Sequence, residues 1–220
     1  MAVFLGDLGR DLPYEERLHW KQFNVPPQGE ISETNYRRSF LAQFAPPQAP
    51  DLIFRAAYER LNTSWRNVIG WLLFLAPDPA DEYLLATVRV PVTNSQSKLD
   101  QQVLVLTKLL IDSLNEQALV AQAGPGQKDE KGITKFERFL TARGFPQTAV
   151  VVQFLRDLQA LRSADAGHRK GDRYDKILAK VSAGGQRKPE IMEHLLREAT
   201  AALRALGDHF CRARTSEGSG

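Results

Sequence analysis

Nine of the twelve prolines in this chain of 220 residues fall within its first 91 positions. Proline locks φ and lacks an N–H, so it breaks a helix interior while suiting a first turn or a loop. The first part is therefore expected to consist of short helices joined by proline-rich loops. After residue 91 only Pro125, Pro146 and Pro189 remain, each placed to open or separate helices, and longer helices are expected there.

The apolar residues follow the same division. Tyr14 to Phe23 reads as a short helix after Pro13, and Ser32 caps a second one, with Tyr36, Phe40 and Phe44 on one stripe. Asp51 to Leu75 carries Ile53, Phe54, Ala57, Leu61, Trp65, Val68, Trp71 and Leu72 at helical spacing, an aromatic stripe of the kind that forms a core. Thr87 to Thr93 alternates like a strand, but Pro91 confines it to an edge or an extended linker. Beyond it, Leu99, Val103, Leu106, Leu110 and Leu114 mark one face of a long helix ending near Leu119. Ile133, Phe136 and Leu140 mark a short helix, Val151 to Leu161 a buried one, and Met192 to Phe210 a last one opened by Pro189. The expectation is an all-α fold: a helical, proline-rich region over 1–95, a four- or five-helix bundle over 96–214, and a disordered tail over 215–220.

Composition removes several classes of function. Cys211 is the only cysteine, so there is no intrachain disulfide, and a reducing cytoplasm is the natural setting. The four histidines are far apart, and neither a metal site nor a cofactor is expected. The longest apolar run, Val68 to Ala76, is too short to span a bilayer, so no membrane partner is expected. No phosphate-cradling glycine loop or nucleophile elbow occurs. Met1 and Ala2 running straight into VFLGDLGRDL, and the SEGSG ending, read as the edges of an excerpt from a larger polypeptide.

The chemistry-bearing stretch is LQALRSADAGHRKGDRYDKI, Leu158 to Ile177. From Arg162 to Lys188 there are eight Lys/Arg against three Asp, in a chain whose net charge is only +3. Arginine grips a phosphate with two donors, and histidine carries a proton near neutral pH. Three pairs fit Arg-x(4–6)-His: Arg162/His168, Arg187/His194 and Arg204/His209. His194 sits within the rhythm of the last helix, and His209 lies near its end, where the macrodipole accounts for it. The first pair stands apart, because Arg162 ends an apolar helix, Ser163 follows, and a cationic run comes next. Residues six apart on a straight helix point about 120° away from each other. Convergence therefore needs the bend that Gly167 permits. A helix boundary followed by a basic loop accounts for the same residues without chemistry. Asp112, on the Leu99 helix, is either a carboxylate supporting this site or a solvent-facing residue.

An amphipathic helix entering LRSADAGHRKGDRYDKI resembles the signature segment of the HEPN superfamily of small helical bundles. The likeness covers about Leu99 to Arg214. It implies a metal-independent RNase of a defence or toxin system, active as a homodimer through a composite site. Carried over by residue, Arg162 would hold the scissile phosphate, His168 would move the proton, and Ser163 would orient one of them. Arg169, Lys170, Arg173, Tyr174 and Lys176 would contact the RNA. Serine departs from the Asn, Asp or His more usual after the Arg. The resemblance equally includes inactive members that bind nucleic acid or nucleotide, or mediate dimerisation.

Overall fold

A computed structural model describes residues 10–23, 33–42, 48–75, 83–124, 126–127, 129–165, 172–182 and 187–212. The chain divides into two compact units, Met1–Pro46 and Pro47–Gly220. The fold is all-α, and no strand forms among the described residues.

The first unit contributes helices α1 (Tyr14–Lys21) and α2 (Glu33–Ser39). Pro13 precedes α1, Glu15 and Glu16 lie in its first turn, and His19 and Lys21 in its last, so its charges oppose the helix dipole. None of its residues is buried, and Tyr14, Trp20 and Phe23 are exposed.

In the second unit, Pro50 opens α3 (Pro50–Ile69), and Gly70 ends it at φ 89°, a left-handed conformation that favours glycine. There follow α4 (Leu84–Thr87), α5 (Gln96–Thr107), a π-helical turn over Lys108–Asp112, and α6 (Glu116–Ala123). The chain closes with α7 (Gly132–Ala142), α8 (Thr148–Asp165), α9 (Asp172–Val181) and α10 (Lys188–Cys211). Helix α3 lies along α10, α5 packs on α8, and α7 packs on both α6 and α8.

Three features of the second unit bear on the expectations above. The compact unit begins at Pro47, and α3 buries Phe54, Tyr58, Leu61 and Trp65 within it. Residues 47–95 therefore belong with the bundle. Second, the apolar stripe from Leu99 to Leu114 is buried as expected, yet its helix does not run on to Leu119. Leu114 forms an antiparallel bridge with Phe74, and Leu75 N–H donates to Ser113 O at 2.7 Å. Asn115 Nδ2 also donates to Leu72 O at 3.0 Å, and its side chain caps α6 through Ala118 N–H at 3.0 Å. These bonds to the 72–75 segment replace helical continuation. Third, after Thr87 closes α4 the chain through Thr93 forms a linker, one of the two readings left open above, and its backbone pairs with a side chain. Arg89 N–H donates to Gln102 Oε1 at 2.9 Å, and Gln102 Nε2 donates to Thr87 O at 3.2 Å. Such a side-chain amide, donor and acceptor at once, satisfies two backbone groups that a ladder would otherwise serve.

The α3–α10 contact is closed by rings. Trp65 is fully buried, with its centroid 4.9 Å from Phe210, 5.5 Å from Trp71 and 6.1 Å from Phe139. Its indole N–H is buried without a hydrogen-bond partner among the described residues. Trp65→Ala is expected to cost about 3–5 kcal/mol, from lost burial plus the cavity left behind. Trp65→Phe keeps a ring and removes the unpaired donor, so it should cost clearly less. Urea denaturation at constant m-value checks both, and equal losses would show that the missing ring is not the cause.

Candidate functional site

Arg162 lies in the last turn of α8, where its positive charge suits the helix dipole. Its Nη1 donates to Asp112 Oδ2 at 2.7 Å, bridging 50 residues of sequence. The two side chains are 37% and 43% exposed, so the pair orients the guanidinium without contributing more than about 1 kcal/mol. Asp112 closes the π-helical turn, so that local widening of the helix sets where its carboxylate emerges. Asp112, left open in sequence between a supporting carboxylate and a solvent-facing one, is 43% exposed and in direct contact with Arg162.

Beside this pair lies an open hollow of about 560 Å³, bordered by Ser97, Asp100, Gln101 and Leu104 from α5 and by Leu161 and Arg162 from α8. Arg162 forms its cationic wall and Asp100 its anionic one. Ser163 is exposed, and its hydroxyl donates to Gln159 O at 2.8 Å, within its own helix.

The remaining candidates are described only in part. His168, Arg169 and Lys170 lie outside the described residues. Arg173 is placed on α9, its side chain likewise outside the description, and Lys176 on the same helix is exposed. Tyr174, which the sequence left open between a base-stacking ring and a buried anchor, is 2% exposed and cannot present a face to a base. Its hydroxyl donates to Asp100 Oδ1 at 3.0 Å and accepts from Gln96 Nε2, which also donates to Asp100 at 2.7 Å. This triangle ties α9 to the start of α5. Gln96 and Asp100 are a contribution that sequence reasoning missed. Their one signal was the i, i+4 spacing beside the buried Leu99, which is common on any helix.

The other histidines have different surroundings. His209 packs edge-on against Phe145 at 5.3 Å and Phe210 at 4.7 Å. His194 lines a separate hollow of about 540 Å³ with Asp157, Lys180 and Glu198, and Lys180 Nζ is 2.7 Å from Asp157 Oδ1. Burial pushes the Cys211 thiol up, which disfavours the nucleophilic thiolate. Among the described residues, no three His, Cys, Asp or Glu side chains gather as metal ligands. No described helix is long and apolar enough to cross a membrane.

No known protein family matches the chain, and no curated protein or solved structure does either.

The two hydrogen-bonded features of this region separate in their effect on stability. Tyr174→Phe should cost about 1 kcal/mol, because it removes one partner from the half-buried Asp100–Gln96 pair. Arg162→Ala should cost no more than that. Denaturant midpoints of the two variants test the ordering, and a larger loss for Arg162→Ala would make that arginine a structural strut.

Proposed function

We propose that the bundle is a HEPN-like, metal-independent RNase of the defence or toxin type, acting as a homodimer in the cytoplasm. The observation that carries this reading is Arg162 at the open end of α8, oriented by Asp112 beside a hollow. The chain then runs directly into the segment carrying His168 and its basic neighbours.

Arg162 binds the scissile phosphate and stabilises the charge that accumulates on its oxygens in the transition state. Asp112 holds the guanidinium in place until a phosphate competes for it. His168 takes the proton from the ribose 2′-OH, the 2′-oxygen attacks phosphorus, and the 5′-oxygen leaves on receiving a proton. Arg169, Lys170, Arg173 and Lys176 hold flanking phosphates, so affinity falls steeply with salt. A second copy of the chain completes the composite site. Tyr174 has no part in this, since it is buried.

A second reading is favoured by one specific observation. Arg162 and Ser163 are each already hydrogen-bonded within the chain, to Asp112 and to the backbone. On that reading the bundle is a non-catalytic module that binds nucleic acid or dimerises as part of a larger polypeptide.

Incubating a mixed RNA pool in EDTA distinguishes the two. On the RNase reading the wild type cleaves, and His168→Ala and Arg162→Ala each lose about 10²–10⁴-fold in rate, the range for removing a general acid/base or a charge-stabilising donor. Absence of cleavage by correctly folded wild-type protein would overturn the RNase and leave the binding module. Undiminished cleavage by His168→Ala would remove that histidine from the mechanism.

A further inference from the structure

Gln101 and Leu104 line the hollow beside Arg162, and they also line a second one of about 590 Å³. This second hollow is walled by three cations from three separate parts of the chain: Arg55 on α3, Arg89 on the extended segment, and Lys108 at the π-helical turn. No carboxylate lines it among the described residues. A cleft bordered by charges of one sign focuses its field and concentrates counter-ions. Its volume is that of a small-molecule site.

Two further observations define what would fit. Arg55 spends one nitrogen on the Val88 carbonyl, while its Nε is buried without a hydrogen-bond partner among the described residues. A guanidinium on the wall of such a hollow suits an anionic oxygen best. Tyr83, on the wall of the same hollow, is 58% exposed and offers an aromatic surface to stack on a ring. Thr87 and Gln101 supply neutral polar groups nearby.

The backbone that carries part of this site is held in place. The Val88 carbonyl fixes Arg55, and the Gln102 amide fixes the backbone of Arg89 and Thr87. A site built on restrained backbone loses less freedom on binding.

We propose that this hollow binds a nucleoside phosphate, with Arg55, Arg89 and Lys108 on the phosphate oxygens and Tyr83 stacked on the base. Arg162 is not among the described residues that line this hollow, so binding here does not depend on the RNase reading.

Isothermal titration of the full chain with ADP, UDP, pyrophosphate and adenosine tests it. Wild type should bind both nucleotides and, more weakly, pyrophosphate, while adenosine should bind at least about tenfold more weakly than ADP, having lost its charge-assisted bonds. Arg89→Ala and Lys108→Ala should each weaken ADP by about tenfold on the same grounds. Tyr83→Ala should weaken ADP about fivefold or more and leave pyrophosphate unchanged. Arg162→Ala should leave ADP affinity as it was. Arg89 and Tyr83 are exposed, so their variants should keep wild-type helicity by circular dichroism. No binding of any phosphate, or ADP affinity insensitive to Arg89 and Lys108, would overturn the proposal. So would loss of ADP binding in Arg162→Ala, which would place the ligand in the other hollow.

Discussion

The packing of α3 along α10 is the contact on which the rest of the second unit depends. Phe54, Tyr58, Leu61 and Trp65 present one face of α3, and Met192, Leu195, Leu196, Ala199 and Leu203 are buried along α10. Each large apolar side chain withdrawn from water contributes about 1.5–3 kcal/mol, so a contact of this length outweighs any single polar interaction in the bundle. It also joins distant parts of the sequence. The rings of Trp65, Trp71, Phe139 and Phe210 meet at its end, which draws α7 into the same core.

From that core, two polar devices set the geometry of the surface hollows. The 72–75 segment takes up the backbone of Ser113 and Asn115, which ends the α5 path after its π-helical turn and places Asp112 within reach of Arg162. The Gln102 amide, buried at 7% exposure, holds the extended segment that carries Arg89. Both replace regular secondary structure with a side chain serving the backbone. Neither requires much energy from the pair it positions. The Arg162–Asp112 bond is half exposed and weak in stability terms, yet it restricts where a guanidinium can point.

The all-α architecture was legible because helical periodicity over a dozen or more residues repeats often enough to outweigh local noise. The stripe from Leu99 to Leu114 and that from Phe54 to Trp65 are buried as the spacing indicated. The place where the first of these helices stops was not legible. The one local signal is Asn115, an N-cap residue followed by Glu116, while the bridging partner of Leu114, Phe74, lies 40 residues upstream. The same holds for the compact boundary. Proline frequency changes near residue 91, whereas the cooperative contact is α3 with α10, and composition carries no record of which helix another one packs on. Tyr174 shows the limit at a single residue: an aromatic in a basic run has one appearance in sequence whether it faces a base or a carboxylate of its own bundle, and here it meets Asp100.

Charge makes the same point about function. Along the chain, the dense basic run after Arg162 is the conspicuous anion-binding candidate. In the folded bundle, two of its cations have carboxylates supplied from elsewhere: Asp112 meets Arg162, and Asp157 meets Lys180. Each such pairing lowers the local positive potential and must be displaced or tolerated by an incoming phosphate. Arg55, Arg89 and Lys108 are scattered over more than fifty residues and form no run at all, but α3, the extended segment and the π-helical turn bring them to one hollow whose described lining holds no acid. Linear charge density sets how a disordered segment attracts a polyanion; in a packed helical bundle, the field at the surface is set by which carboxylates the fold delivers to each cation. The Arg162 hollow is the more finely balanced of the two, where a single neighbouring acid decides whether the arginine is held ready or held shut.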